Sequence, residues 1–185
     1  MKTPPELATS RLILNECVLA DTQAVFSLFA DDKVTQFYDL AAFETLEAAR
    51  ELIKQDAVKH QQQLMLRWAI RDKFTQQFLG GCGVNHFEPQ RHVAVIGYEL
   101  MPQAWGQGLA TEALQAVIDY LFTKYRHPIN RIEAFVMQGN IGSEKVLKKL
   151  GFKCEGVLRQ HSYWKNQYHD LSLFSLLKHE YLQQE

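Results

Sequence analysis

The spacing of apolar residues changes several times along the chain, and each change marks an element. Arg11 to Asn15, RLILN, is a short β-like run. It is followed by LADTQAVFSLFAD, in which Asp21 can cap a helix whose apolar residues include Ala24, Val25, Leu28 and Phe29. A second helical pattern follows Phe43, with Thr45 as N-cap and Leu46, Ala49, Leu52, Ile53 and Ala57 on one face, and it ends in the polar KHQQQ. The period then shortens. LMLRWAIRD, QFLGGCGVNHF and HVAVIGYELM are three β-like runs separated by KFTQ and EPQR, the pattern of an antiparallel meander.

Ala110, Ala113, Leu114, Val117, Ile118, Leu121, Phe122 and Tyr125 then repeat at helical spacing over four turns and predict a helix that packs flat on the sheet. RIEAFVM reads as a strand and Ser143 to Leu150 as a short helix that Gly151 terminates. HDLSLFSLLKHEY reads as a final strand with its tail. The order β, α, α, β, β, β, α, β, α, then one or two strands predicts a mixed α/β fold around a central sheet. With no linker, repeat or low-complexity segment in 185 residues, one domain over 1–185 is expected.

Composition narrows the class without choosing a function. Apolar residues make up 46% of the chain and charged residues 22%, which excludes disordered and fibrous classes. The formal charge of −1 gives no basic field for a nucleic-acid backbone. No apolar run reaches the roughly 18 residues of a membrane helix, and MKTPPELATSRLILNE lacks the apolar core of a secretory signal, so a cytoplasmic protein without membrane contact is expected. Cys17, Cys82 and Cys154 are odd in number and never in CxxC spacing, so they are expected as small buried hydrophobes rather than as a disulfide or zinc site. No two of the seven histidines stand in HxxxH or HxH spacing, and no metal is expected.

The chemistry concentrates in Met101 to Leu114, MPQAWGQGLATEAL. Glycines between a strand and a helix start expose backbone N–H groups, and the helix dipole adds roughly half a positive charge there, which makes an anion seat. A GxG taken alone is read first as a simple turn. A dinucleotide fingerprint fails because Thr111 stands where its third glycine is needed, and no GxxxxGK string occurs in the chain. What remains is a loop for a pyrophosphate lying across a helix N-terminus without a lysine clamp.

IGYELMPQAWGQGLATEAL resembles the acetyl-coenzyme A segment of the GCN5-related N-acetyltransferases (GNAT), and NIGSEKVLKKLGF, Asn140 to Phe152, resembles their next segment. The opening TSRLIL and the closing GVLRQHSYWKNQYHDLSLFSLL are similar to the Rim-type branch, which includes enzymes acetylating ribosomal-protein N-termini. The resemblance implies the GNAT fold, a central, mostly antiparallel, twisted sheet with helices on both faces. It places the cofactor loop on Trp105, Gly106, Gln107, Gly108, Leu109 and Ala110, with Trp105 departing from the family's usual Gln or Arg. It implies that amides from Trp105 to Thr111 cradle the pyrophosphate of acetyl-coenzyme A (acetyl-CoA), that Leu100 and Met101 pair with the pantetheine arm, and that Asn140 bonds to it.

For direct attack of a neutral amine on the thioester, the backbone N–H of Met101 is a candidate oxyanion donor. The resemblance implies Ser143 as proton donor to the departing sulfur, since the Rim-type pattern places a serine three residues after the asparagine, a role that competes with capping the helix SEKVLKKL. Glu99 is a candidate base, competing with a structural hydrogen bond. The family's occasional glutamate near Ser162 is absent, which leaves His161, Glu99 or no dedicated base. Lys145, Lys148, Lys149 and Lys153 read as a solvated face or a phosphate contact, and Tyr163, Trp164 and Tyr168 as packing or an acceptor wall, while the resemblance implies Phe37 and Tyr38 on the acceptor side. The expected acceptor is a protein N-terminal α-amine, with a small-molecule amine as runner-up. A non-catalytic acyl-CoA binding module is the rival from another class, and monomer and homodimer both stay open.

Overall fold

The runs of alternating pattern form strands and the runs at helical spacing form helices, and two features of the chain join them into one sheet. A computed structural model describes residues 3–183. In chain order the elements are β1 (Leu7–Ala8), β2 (Leu12–Asn15), α1 (Thr22–Phe29), α2 (Asp32–Thr35), α3 (Leu46–Gln61), β3 (Leu66–Asp72), β4 (Phe78–Glu88) and β5 (Val93–Leu100). Then come α4 (Leu109–Thr123), β6 (Arg131–Met137), α5 (Ile141–Lys149), β7 (Lys153–Trp164), β8 (Gln167–Leu177) and α6 (Lys178–Leu182). Met1, Lys2, Gln184 and Glu185, included in the expected domain, lie outside the described residues.

The sheet runs β1-β2-β3-β4-β5-β6-β8-β7. Every neighbouring pair is antiparallel except β5 and β6, which α4 joins by a crossover and which therefore run parallel. That parallel pairing covers only Val93↔Arg131 to Val95↔Glu133. Beyond it the two strands part. A bulge at Asn85 on β4 shifts the register between Val84↔Ile96 and His86↔Val95, at the level where β5 leaves β6. A bulge bends its strand and adds twist, which turns the end of β5 away from its neighbour.

Helices cover both faces. On one, Ala113, Leu114, Val117, Ile118 and Leu121 of α4 pack with Leu147 of α5 over Leu12, Leu14, Trp68, Ile96 and Ile132 of the sheet. On the other, Val25, Leu28 and Phe29 of α1 and Ala49 and Ile53 of α3 pack over Ala69, Phe78 and Met101. Thr45 caps α3 as expected, its hydroxyl accepting the Ala48 N–H at 3.3 Å. Gly151, at φ +83°, ends α5, with the Phe152 N–H reaching the Leu147 carbonyl at 3.0 Å.

Several expectations need correction. Asp21 does not cap α1 with its side chain, because its carboxylate takes the Val18 N–H and the Arg71 guanidinium. α5 begins at Ile141 and is capped by Asn140, not Ser143. Cys82 is buried and Cys17 half-buried, but Cys154 is exposed. The segment expected as a tail after β8 forms α6. No helix among the described residues is long and apolar enough to cross a membrane.

Leu114 is fully buried between α4 and the sheet, so Leu114→Ala should lower unfolding free energy by about 2–5 kcal/mol in urea titration.

Candidate functional site

At the carboxyl end of β5 the chain turns through Pro102–Ala104 and reaches the glycine loop. Gly106 and Gly108 sit at φ +74° and +76°, a left-handed backbone that side-chain-bearing residues adopt only at a cost. Gly108 is the N-cap of α4 and offers no side chain to the helix start. The first intrahelical bond is Glu112 N–H to the Gly108 carbonyl at 3.0 Å, so the amides of Leu109, Ala110 and Thr111 precede the helical ladder. These donors, the dipole and the open space around Gly106, where an added Cβ would meet nothing within 4 Å, fit a pyrophosphate. The run of free amides is shorter than expected. Trp105 N–H is spent on the Pro102 carbonyl, and the Trp105 indole donates to the Leu100 carbonyl at 2.8 Å.

The parting of β5 from β6 opens a cleft of about 410 Å³. Its walls include Gly97 and Tyr98 on β5, Phe135 to Met137 on β6, Ser143 on α5, Phe37 and Tyr38 after α2, and His161, Ser162 and Trp164 near the end of β7. Met101 N–H donates to the Leu79 carbonyl on β4 at 2.8 Å. It is therefore not open to an oxyanion, and the Met101 carbonyl already accepts the Ala104 N–H at 2.9 Å, which corrects both the oxyanion and the pantetheine expectation for this residue. Strand alternation turns the backbone groups of Tyr98 and Leu100 to the opposite edge, toward the cleft.

Ser143 lines this cleft, and Asn140 caps the helix turn that carries it. The Asn140 carbonyl oxygen accepts Ser143 N–H at 3.1 Å, which leaves the Asn140 amide NH2 for another partner. The Ser143 hydroxyl lies 2.6 Å from the Tyr98 hydroxyl, and Tyr98 is also 3.1 Å from the Ser143 carbonyl. Burial pushes the Tyr98 phenol up to about 12 against the opposing pull of Ser143, so it stays protonated at neutral pH. Alternation puts Tyr98 on the same strand face as Leu100, but the sequence alone does not say which face meets the cleft or that Ser143 is its partner.

Glu99 points to the other face, into a cavity of about 260 Å³ under α1 and α3. Arg67 Nη2 donates to both its oxygens, at 2.5 and 2.6 Å, and Tyr38 donates to Oε2 at 2.6 Å. Arg67 is also bonded to Asn85 at the bulge. Burial works against the charge on Arg67, and the Glu99 carboxylate more than restores it. Burial and the Glu99 charge together raise Tyr38 well above an ordinary phenol. Gly81 makes the arrangement possible: a Cβ there would stand 2.3 Å from Glu99 Oε1. The carboxylate thus arrives already matched, in keeping with its structural reading.

Of the remaining candidates, Lys148 pairs with Glu144 and Lys153 with Glu180. Tyr163 and Tyr168 are exposed and pack edge to face on each other, whereas Trp164 turns inward and stacks on His169. No cluster of His, Cys, Asp or Glu among the described residues has the geometry to hold a metal.

The chain is similar to known proteins over most of its length. The family description of the acetyltransferase (GNAT) domain matches residues 11–153. The N-acetyltransferase YoaA of Bacillus subtilis is 35% identical over 94% of this chain and 97% of its own length. The N-acetyltransferase p20 of Bacillus licheniformis is 37% identical over 95% and 97% respectively. Among solved structures, RimL, a ribosomal α-N-protein acetyltransferase in complex with coenzyme A, superposes with a TM-score of 0.83 at 23% identity, covering 94% of this chain and 98% of that one.

Arg67→Met leaves Glu99 as a buried charge without its partner and should cost about 3–5 kcal/mol in urea unfolding, whereas the double replacement Arg67→Met with Glu99→Leu should recover most of that loss.

Proposed function

This chain belongs to the GNAT family of acetyltransferases and uses acetyl-CoA as its acetyl donor, and we propose that it transfers the acetyl group to a protein N-terminal α-amine. The observation that carries the reading is the cleft between β5 and β6, which the Ser143–Tyr98 pair lines, on the strand that leads into the glycine loop. The amides of Gly106 to Thr111 hold the pyrophosphate and the free side-chain amide of Asn140 bonds to the pantetheine arm, whereas the Leu100 carbonyl expected to pair with that arm is taken by the Trp105 indole. Acetyl-CoA supplies a thioester whose carbonyl carbon accepts the amine and whose sulfur leaves as thiol.

The residues of the chain divide the remaining work. The N–H of Leu100, turned to the open edge, takes over the oxyanion role first assigned to Met101. Ser143 gives its hydroxyl proton to the departing sulfur, Tyr98 hydrogen-bonds the serine oxygen as that proton moves, and the proton lost by the acylated nitrogen returns through solvent to restore the serine hydroxyl. Glu99 anchors the acceptor side through Arg67 and Tyr38 instead of serving as a free base. An α-amine, with pKa near 8, arrives partly neutral and has the least need of one.

Similarity to a ribosomal α-N-protein acetyltransferase supports this acceptor class. One observation favours a second reading, a small polycationic amine. Asp39 and Asp56 line the cavity beside Glu99, and neither forms a hydrogen bond or ion pair among the described residues. A second ammonium group on the acceptor would match them.

Calorimetric titration should give tight binding of acetyl-CoA and coenzyme A and none of adenosine diphosphate. Absence of coenzyme binding would end the assignment. Gly108→Trp should abolish that binding, because a side chain at φ +76° strains the left-handed turn that presents the loop amides. Ser143→Ala should lower kcat by roughly 100-fold or more with coenzyme affinity little changed, and an unchanged kcat would refute the acid role. A turnover screen of ribosomal-protein N-terminal peptides against polyamines decides between the acceptors.

A further inference from the structure

The segment Thr9-Ser10-Arg11 lies far from the glycine loop in sequence and directly against it in space. Glu112, in the first turn of α4, gathers the whole segment. Its Oε1 accepts from Thr9 Oγ1 at 2.6 Å, Ser10 Oγ at 2.9 Å and Arg11 N–H at 2.9 Å. Its Oε2 takes Arg11 Nε and Nη2, both at 2.6 Å. The remaining Arg11 nitrogen, Nη1, donates to the Gln107 carbonyl at 3.0 Å. Arg11 Nη2 also stands 3.8 Å from the position a Cβ on Gly108 would take.

These contacts bear on the coenzyme seat in two ways. A trans peptide holds its C=O and N–H in opposite directions, so fixing the Gln107 carbonyl toward Arg11 turns the Gly108 N–H to the other side of the loop. Gly106 and Gly108, both left-handed, otherwise leave that peptide plane loosely determined. The second effect is charge. A carboxylate in the first turn of α4 repels a phosphate at the same helix end, and the guanidinium bound to it cancels that repulsion. Burial acts to raise the Glu112 carboxyl, but the donors from Thr9, Arg11 and Ser10 outweigh it and hold it down at about 2, so the charge persists at neutral pH.

We propose that Arg11 is a positioning residue for acetyl-CoA binding: it clamps the Gln107 carbonyl and neutralises Glu112, which sets the glycine loop and its Gly108 amide for the pyrophosphate. The proposal rests on reading that loop as the coenzyme seat.

The test compares Arg11→Ala, Arg11→Lys and Gly108→Trp by calorimetry with acetyl-CoA and by steady-state turnover. The side chain of Arg11 is 47% exposed, so its loss leaves the core intact. Arg11→Ala should raise Kd and KM for acetyl-CoA about tenfold with kcat changed less than twofold. Arg11→Lys keeps the charge but lacks the planar fork that spans two acceptors, and should fall in between. Unchanged affinity in Arg11→Ala, with binding lost in Gly108→Trp, would overturn the clamp and leave the seat standing. Unchanged affinity in both variants would overturn the seat and the clamp together. A fall in kcat at constant KM would also overturn the clamp.

Discussion

The sheet of this protein depends on a parallel pairing that stops after three residues. Strands β5 and β6 are joined by a helix and so must run parallel, and their ladder ends at Val95↔Glu133. If they stayed paired, no cleft would exist and Tyr98 and Leu100 would spend their outward backbone groups on β6. The Asn85 bulge bends β4 at that level, and the long antiparallel ladder of β6 with β8, from Arg131↔Leu177 to Met137↔Leu171, keeps β6 from following β5. One sheet is thereby held together at one end and opened at the other.

Glycine serves that opening in two distinct ways. At Gly106 and Gly108 it permits a left-handed backbone, which lets the chain enter α4 with unpaired amides facing outward. At Gly81 the backbone is not the reason. There the missing side chain leaves room for the Glu99 carboxylate, which could not otherwise lie under Arg67. Glycines at 97 and 81 thus shape the floor of the two cavities, while those at 106 and 108 shape the anion seat.

Much of this was legible in the sequence, because period and punctuation were strong where packing is regular. The meander, the long helix α4 and the Gly151 stop follow from local pattern alone. The β7–β8 hairpin was harder. Its tip, Lys165 and Asn166, has φ of +49° and +60° with no glycine, so the usual hairpin signal is missing, and β7 carries so few buried residues that its alternation does not show. The Asn140 cap was masked because Ser143, another good capping type, stands within the same turn. At the site, motif resemblance located the loop but not its connections. Tyr98 with Ser143 and Arg67 with Glu99 are pairs between elements 45 and 32 positions apart, and no local pattern encodes such meetings.

The two faces of β5 carry different electrostatic tasks, and this separation explains why adjacent residues have opposite fates. Tyr98 faces the cleft with a neutral, buried hydroxyl that can pass a hydrogen bond to Ser143. Glu99, the next residue, faces α1 and α3 with a full charge that Arg67 matches at both oxygens. Had the register of β5 slipped by one, the carboxylate would stand against the thioester and repel its developing negative charge, while the phenol would lie unused in the opposite cavity. The register that Met101 fixes by donating to Leu79 therefore matters more to the chemistry than the hydrogen bond itself does to stability. Holding that amide to β4 withholds it from the substrate, and it is also what presents Leu100 and Tyr98 to the opening.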